Sequence, residues 1–309
     1  MAGTRLLYYT HSLFLDHDTG AGHPECADRL RAIDSALSAP GFEKLIRREA
    51  PRATLQQVML IHAADYIAHL QTLAPGNGHV YLDADTPLSP ASVDAAWHAA
   101  GACCAAVDEV CSATGMRAFC AVRPPGHHAE PERGMGFCVF NNIAIAAAWA
   151  LHQHKLERIA IVDFDVNHGN GTAAAVVNHP ELLYVSTHQH PWYPDTGAPI
   201  QNGQGNLLHI PLQADSGSAR FRSAITWQLL PAVHRFKPQL LLISAGFDAH
   251  RLDPLAQINL ETEDYGWLTE QLVQVASQHA NGRIVSVLEG GYHLEALAAS
   301  TAEHVRALG

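Results

Sequence analysis

Short runs of β-branched and aliphatic residues alternate along this chain with longer segments whose apolar residues recur at helical spacing. Two of the runs, 159–162 and 240–243, are apolar at every position, which is typical of strands covered on both faces of a parallel sheet. The alternation predicts an α/β fold, a three-layer sandwich with a mostly parallel central sheet. The predicted strands are 6–9, 118–122, 158–162, 182–186, 207–211, 240–244 and 284–288, and the predicted helices are 28–38, 53–61, 63–73, 90–111, 142–154, 217–236, 262–279 and 294–308.

The chain length and composition suit one domain over residues 1–309. It has 309 residues, 48% of them apolar, without internal repeats or a low-complexity linker. The segments 75–78 and 202–205 read as surface turns. A formal net charge of -11 argues against direct nucleic-acid binding and favours cationic partners. These features are compatible with either a monomer or an oligomer.

Cysteine usage and the chain start predict a cytoplasmic location. The six cysteines show no Cys-x-x-Cys spacing, and the first residues carry no apolar region typical of a signal peptide. No apolar run approaches the roughly 18 residues that a membrane span requires. We therefore expect a reduced protein that does not cross a membrane.

Four polar clusters follow directly after predicted strands. In a parallel sheet the carboxyl ends of the strands lie at one edge, where ligands of such folds bind. The clusters therefore predict one shared pocket. They are 123–128 (Arg-Pro-Pro-Gly-His-His), 163–171 (Asp-Phe-Asp-Val-Asn-His-Gly-Asn-Gly), 244–250 (Ser-Ala-Gly-Phe-Asp-Ala-His) and 289–292 (Glu-Gly-Gly-Tyr).

The second and third clusters contain candidate metal ligands. Asp163, Asp165 and Asn167 alternate, so in an extended backbone they project to one side. Asp165 and the distant Asp248 are hard oxygen ligands that suit zinc, iron or manganese. The alternative is that the first two aspartates only cap the following helix. That reading does not explain a second aspartate after another strand.

The histidine pair of the first cluster is a candidate general base with an electrostatic partner. Each of His127 and His128 needs a carboxylate or amide on its far nitrogen, and Asp163 and Asn170 are the natural candidates. Tyr292, which follows two glycines, is placed to donate its hydroxyl to an oxyanion. Taken singly, these residues also fit ordinary loop histidines and a packing tyrosine.

Together these motifs resemble the histone deacetylase and acetylpolyamine amidohydrolase superfamily, which has an arginase-like α/β fold. The resemblance covers essentially the whole chain and is nearest to the class II and bacterial branch. Besides the four clusters, the matching segments are 23–30 (His-Pro-Glu-Cys-Ala-Asp-Arg-Leu), 83–86 (Asp-Ala-Asp-Thr), 136–142 (Gly-Phe-Cys-Val-Phe-Asn-Asn) and 193–197 (Tyr-Pro-Asp-Thr-Gly).

The resemblance implies a role for each matching position, in a zinc-dependent amidohydrolase that removes acyl groups from N-acyl-lysine or a related amine. His127 and His128 would be the acid/base pair, supported by Asp163 and Asn170, and Tyr292 would stabilise the oxyanion. The implied zinc ligands are Asp165, Asn167 and Asp248; the implied substrate contacts are Asp85, Gly136, Phe137, Tyr193 and Leu255; the implied structural potassium site consists of carbonyls around Asp163, Asp165 and Asn167, with Ser186.

Asn167 departs from the family pattern, which usually has histidine at this position. Its amide oxygen is a neutral, hard and weaker zinc ligand than imidazole, and strand alternation directs His168 away from Asp165. Several outcomes stay open: a site for Fe²⁺ or another divalent ion, a depleted site in an acyl-lysine-binding pseudoenzyme, or an engineered change. An acetylpolyamine amidohydrolase and a binuclear ureohydrolase are further alternatives, but Leu255, where polyamine enzymes commonly carry an acid, favours acyl-lysine.

Overall fold

The computed structural model describes residues 5–73, 75–201 and 205–309. The strands of this part of the chain are β1 (Arg5–Thr10), β2 (Ile46–Glu49), β3 (Val80–Tyr81), β4 (Pro87–Leu88), β5 (Met116–Cys120), β6 (Ile159–Asp163), β7 (Leu182–Gln189), β8 (Ile200–Gln201), β9 (Leu207–Leu212), β10 (Leu240–Ala245) and β11 (Ile284–Leu288). Nine of them form one sheet in the order β2-β1-β5-β11-β10-β6-β7-β9-β8. All neighbours in it are parallel except β8 and β9, which are antiparallel.

Helices cover this sheet. They are α1 (Leu13–Asp16), α2 (Asp28–Ala36), α3 (Leu55–Val58), α4 (Ala64–Leu73), α5 (Ser92–Ser112), α6 (Asn142–His154), α7 (Asn170–Val176), α8 (Ser218–Ala224), α9 (Leu230–Phe236), α10 (Thr262–His279) and α11 (Leu294–Leu308). Helix α5 packs on α6, while α11 packs on both α2 and α10. Every residue of β6, β10 and β11 is buried, which requires cover on both faces. The predicted α/β class with a mostly parallel central sheet is confirmed.

Most predicted elements start or end one to three residues away from their predicted bounds, and the physical reason is clear for two of them. The strand predicted at 118–122 is β5, Met116–Cys120, because its pairing with β1 begins at Arg5 opposite Met116. The helix predicted at 53–61 is shortened to α3. A capping box starts it at Thr54, and turns follow from Met59.

Other differences arise where local pattern is a weak guide. The predicted helix 217–236 contains a π-helical turn at Ile225–Leu229 between α8 and α9. Strand β2 was not predicted because its sequence, Ile-Arg-Arg-Glu, lacks the apolar run used to identify strands. The predicted turn at 202–205 lies largely outside the described residues, since 202–204 are not among them.

The sheet order brings the polar clusters together. Strands β5, β11, β10 and β6 are consecutive neighbours, and all are parallel. The segments that follow their carboxyl ends therefore meet at one edge of the sheet, although they are far apart in sequence. Within the described residues, no helix combines the length and apolar character needed to cross a membrane.

Candidate active site

A cavity of about 220 Å³ opens at this edge of the sheet. All the predicted substrate-binding residues line it: Asp85, Gly136, Phe137, Tyr193 and Leu255. Its wall combines aromatic and aliphatic side chains with a few polar groups, as in many small-molecule sites. The other lining residues are Pro125, His127, His128, Cys138, Asn167, Trp192, Gly290 and Tyr292. Among these, Trp192 lies outside every motif identified in the sequence, and Cys138 lies inside the 136–142 motif but was assigned no role.

The backbone at Gly136 and Phe137 turns through two consecutive left-handed conformations, with φ of 56° and 68°. A Cβ atom on Gly136 would lie 2.7 Å from His128 Cδ2 and 2.8 Å from the Tyr193 hydroxyl oxygen, so only glycine fits there. The left-handed conformation of Phe137 is costly for a residue with a side chain. It is held by a hydrogen bond from Phe137 N–H to Thr86 Oγ1 of 3.0 Å.

Two buried aspartates lie side by side behind the cavity. A Cβ atom on Gly290 would be 2.0 Å from Asp248 Oδ2 and 2.7 Å from Asp165 Oδ2, which shows how close this loop comes to both carboxylates. Asp248 Oδ2 is buried and accepts no hydrogen bond within the described part of the chain. Burial and the neighbouring Asp165 carboxylate raise the pKa of Asp248 well above its ordinary value. Such an arrangement suits a bound cation.

Strand β6 ends at Asp163, so the predicted extended backbone does not continue to Asn167; this expectation was wrong. The segment instead turns locally, with Asp165 N–H donating to Asp163 Oδ1 at 3.1 Å and Asn167 N–H donating to Asp165 Oδ1 at 2.8 Å. The Asn167 amide lines the cavity and donates to the Tyr193 carbonyl at 3.2 Å. Within the described residues, no group of three or more His, Cys, Asp or Glu side chains is arranged to hold a metal.

His127 is held by Asp163 on the side away from the cavity. Its Nδ1 lies 3.0 Å from Asp163 Oδ2, which also accepts a hydrogen bond from the Tyr184 hydroxyl at 2.8 Å. Burial lowers the pKa of His127, but the carboxylates of Asp165, Asp163 and Glu289 outweigh it and raise this pKa to about 10. The surrounding carboxylates therefore favour the charged form of the His127 imidazole.

His128 has the opposite electrostatic environment. Its Nδ1 lies 2.8 Å from Asn170 Oδ1, a neutral acceptor, and its ring packs on that of His127 with centroids 4.0 Å apart. Burial and the charge of His127 hold the pKa of His128 well below its ordinary value. The pKa values of the two imidazoles therefore shift in opposite directions, the separation expected when two titratable groups divide acid and base roles.

The Tyr292 hydroxyl remains protonated across the neutral range. Burial raises the pKa of this phenol well above its ordinary value, although the nearby Arg29 guanidinium opposes the effect. Arg29 stacks over the ring at 5.0 Å, and Tyr292 N–H donates to Asp253 Oδ2 at 2.7 Å. The ring of Phe137 meets it edge-on at 5.9 Å. Tyr292 is thus a hydrogen-bond donor in the cavity wall.

A buried ionic network behind the site was missed by sequence reasoning. Glu25 accepts hydrogen bonds from Arg123 Nε at 2.5 Å and from Arg29 at 3.1 Å. Arg29 also donates to the carbonyls of Glu289 and Gly291, which fixes the loop before Tyr292. All these residues lie inside the sequence motifs that resemble the family. The signal that could have identified the network was a charged side chain within a segment that is otherwise buried.

Glu289 was also missed as a contributor. Its carboxylate accepts hydrogen bonds from the backbone N–H of Gly126 at 2.7 Å and of His127 at 3.1 Å, and from Ser244 Oγ at 3.0 Å. It therefore ties the loops after β5 and β11 to strand β10.

The remaining predicted positions lie beside the cavity. Ser186 pairs with Asp163 in the β6–β7 register, and its Oγ is 2.8 Å from His188 Nδ1. Both ring nitrogens of His168 are engaged elsewhere than at Asp165: Nδ1 lies 2.8 Å from Thr196 Oγ1, and Nε2 lies 3.1 Å from His209 Nε2.

The fold and the site together define the class of this protein. It is an α/β protein whose histidine, carboxylate and tyrosine side chains meet at the carboxyl edge of a parallel sheet. Residues 23–308 match the model of the histone deacetylase domain, so the chain belongs to that family of hydrolases. The resemblance noted from the motifs is thereby confirmed.

Individual relatives extend the similarity over most of the chain. An uncharacterized protein of Synechocystis sp. is 44% identical over 300 residues, covering 96% of each chain. A histone deacetylase-like amidohydrolase of Pseudomonas aeruginosa is 37% identical, covering 88% of this chain and 73% of that protein. The crystal structure of the HDA15 HD domain superposes with a TM-score of 0.91 at 31% identity, covering 99% of this chain and 89% of that one.

Proposed function

We propose that this protein is a metal-dependent deacylase that hydrolyses the amide of N-acyl-lysine in a protein or peptide. The observation that carries the proposal is the pair of adjacent imidazoles, with ring centroids 4.0 Å apart and Nδ1 atoms held by Asp163 and Asn170, in the same cavity wall as Tyr292. These are the groups that amide hydrolysis needs: a base, an electrostatic partner and an oxyanion donor.

The donor set fits a divalent cation. Asp165 and Asp248 would hold it, with Asn167 as third ligand, and the buried, unpartnered Asp248 Oδ2 supports this. When bound, such an ion polarises the acyl carbonyl and lowers the pKa of a water. We propose zinc, with Fe²⁺ or another divalent ion as alternatives, because an amide oxygen replaces the usual imidazole. A structural potassium ion beside Asp163 and Ser186 stays a prediction.

The chain's own residues supply the proton transfers. His128 is neutral and accepts the proton of the attacking water at Nε2, because its Nδ1–H is engaged by Asn170. The imidazolium of His127, held by Asp163, stabilises the negative charge that develops, and Tyr292 donates to the oxyanion. The proton on His128 then passes to the leaving amine.

The cavity wall supports acyl-lysine as the substrate class. Phe137 and Tyr193 present aromatic surface that suits the methylene stem of lysine. Asp85 lies at the cavity, where its carboxylate is placed to accept hydrogen bonds from a peptide backbone. Leu255 offers no charge for the distal ammonium of a polyamine.

All six cysteines are free, which supports the proposed cytoplasmic location.

A second candidate, an acyl-lysine-binding protein without turnover, is favoured by Asn167 alone. It would contain substoichiometric metal after purification and still bind an acetyl-lysine peptide. A binuclear ureohydrolase is not favoured, because the described residues offer no cluster of three or more His, Cys, Asp or Glu ligands.

The test measures turnover of acetyl-lysine peptides and of acetylputrescine with protein loaded with zinc, iron or manganese. Tyr292→Phe and His128→Ala should each lower kcat by about a hundredfold or more, while Tyr81→Phe, at an exposed tyrosine, should have no effect. Full activity in both site variants would disprove the mechanism. A strong preference for acetylputrescine would disprove the substrate assignment.

A further inference from the structure

The side-chain amide of Asn170 lies between His128 and a carboxylate outside the mechanism described above. Its Oδ1 is 2.8 Å from His128 Nδ1, and its Nδ2 donates to Glu130 Oε1 at 2.7 Å. Glu130 does not line the cavity. The hydrogen bond to Asn170 connects it to the site.

The orientation of this amide determines which nitrogen of His128 carries the proton. With Oδ1 facing the ring, Nδ1 must be the donor, and Nε2 is left free to accept a proton. If the amide turned by 180°, its NH2 group would face Nδ1, and the proton would move to Nε2. An imidazole in that tautomer cannot take a proton from water at Nε2.

Glu130 is the partner that distinguishes the two orientations most strongly. An ionised carboxylate only accepts hydrogen bonds, so turning the amide would set two oxygens against each other at this short distance. The other acceptors of Asn170 Nδ2, the His128 carbonyl and Met135 Sδ, are both 3.4 Å away and uncharged. Hydrogen bonds to charged groups are the stronger ones.

Glu130 is itself held in place and ionised. Arg133 donates to it from Nε at 2.9 Å and from a terminal nitrogen at 3.2 Å. The backbones of the two residues also pair, with Glu130 N–H donating to the Arg133 carbonyl at 2.9 Å. Burial raises the pKa of Glu130, but the hydrogen bonds from Arg133 and Asn170 hold it below its ordinary value.

We propose that Glu130 is a positioning residue that fixes the Asn170 amide and thereby keeps the proton of His128 on Nδ1. The catalytic consequence rests on the proposed function, because only a deacylase needs Nε2 of His128 as a base. The tautomer itself does not depend on that function and is measured without substrate.

Glu130→Gln is the most informative variant because it keeps the size of the side chain. The shorter of the two Arg133 contacts, from Nε to Oε2 at 2.9 Å, would hold the glutamine oxygen at that position. The glutamine NH2 group would then take the position of Oε1, facing Asn170, and favour the reversed amide. Glu130→Asp keeps an acceptor-only carboxylate and should preserve the wild-type state. Glu132→Gln removes the same charge from an exposed position two residues away and is the matched control.

The measurement is the side-chain ¹⁵N–¹H correlation spectrum of ¹⁵N-histidine-labelled protein, with the His128 signals assigned by their loss in His128→Ala. Wild type, Glu130→Asp and Glu132→Gln should carry the proton on Nδ1, and Glu130→Gln should carry it largely on Nε2. In metal-loaded protein, kcat for an acetyl-lysine peptide should fall about tenfold in Glu130→Gln, with KM changed less than about twofold.

A Glu130→Gln spectrum with the proton still on Nδ1 would overturn the proposal, whatever the activity. If Glu130→Gln does not fold, Glu130→Ala, which removes the carboxylate that accepts from Asn170 Nδ2, should place part of the proton on Nε2, and a spectrum with the proton only on Nδ1 would be equally decisive. If the proton moves but wild-type protein hydrolyses no acyl amide with any metal, the positioning role stands and the proposed function fails.

Discussion

Asn167 lines the cavity beside its neighbour Asp165, and its amide donates to the Tyr193 carbonyl at 3.2 Å. An imidazole at this position would present a nitrogen donor to the metal in place of a neutral amide oxygen. The sequence alone was sufficient to single out this residue, because the departure lies inside a recognisable motif. The hydrogen-bond partner of this amide could not be predicted from the motif, because Tyr193 lies on a separate loop.

Asn167→His should therefore raise zinc affinity by about tenfold or more, because zinc prefers imidazole to an amide oxygen. The measurement is competition for zinc against a chromogenic chelator, with elemental analysis of the dialysed protein. Asn178→His adds a histidine at an exposed position and is the control. Equal zinc affinity in the wild type and Asn167→His would show that this residue is not a ligand.

At the scale of the secondary-structure elements, the site is made by the loops that follow β5, β6, β10 and β11. Two glycines let these loops approach: a Cβ atom on Gly246 would lie 2.1 Å from Asp165 Oδ2, and one on Gly290 would lie 2.0 Å from Asp248 Oδ2. The apolar runs predicted all four strands from sequence. The approach of the loops was not predictable, because it depends on which strands become neighbours in the sheet.

Gly290→Ala should displace the two carboxylates and lower metal affinity by at least about tenfold. It should also lower the free energy of unfolding by about 1–3 kcal/mol, as overpacking of a buried site commonly does. Gly217→Ala is the matched control, since its added Cβ would come no nearer than 3.5 Å to Asn259 O. Metal titration and urea unfolding of both variants test this, and unchanged metal affinity in Gly290→Ala would contradict the geometry.

The whole molecule contains several histidines that its core keeps neutral. His304 lies between Thr269 Oγ1 at 2.6 Å and Ser286 Oγ at 2.8 Å, and burial lowers its pKa to about 3. Burial also lowers the pKa of His62 and of His188 to about 4. The unfolded chain binds protons on these groups below about pH 6.5, where the folded protein does not. Stability should therefore fall as the pH falls from about 6.5 towards the folded pKa values.

His304→Gln isolates one of these contributions. At about pH 7.5 this variant should be less stable than the wild type by about 1–2 kcal/mol, because the histidine is neutral there and its hydrogen bonds are intact. The difference should shrink by up to about 1.4 kcal/mol per pH unit below about pH 6. Urea unfolding at both ends of this range measures it, with the exposed His152→Gln as control. A difference independent of pH would contradict a neutral, buried His304.

The sequence by itself determined the fold class, the strands that carry the site and the residue types within it. These follow from hydrophobic periodicity and from side chains that are neighbours along the chain, which local pattern records directly. Only the tertiary structure decided that Glu130 holds Asn170, that Glu289 joins two loops to strand β10, and that the pKa values of His127 and His128 shift in opposite directions. Hydrogen bonds and pKa values depend on distance, burial and the sum of surrounding charges, and these are set by groups that the fold brings together from distant parts of the chain.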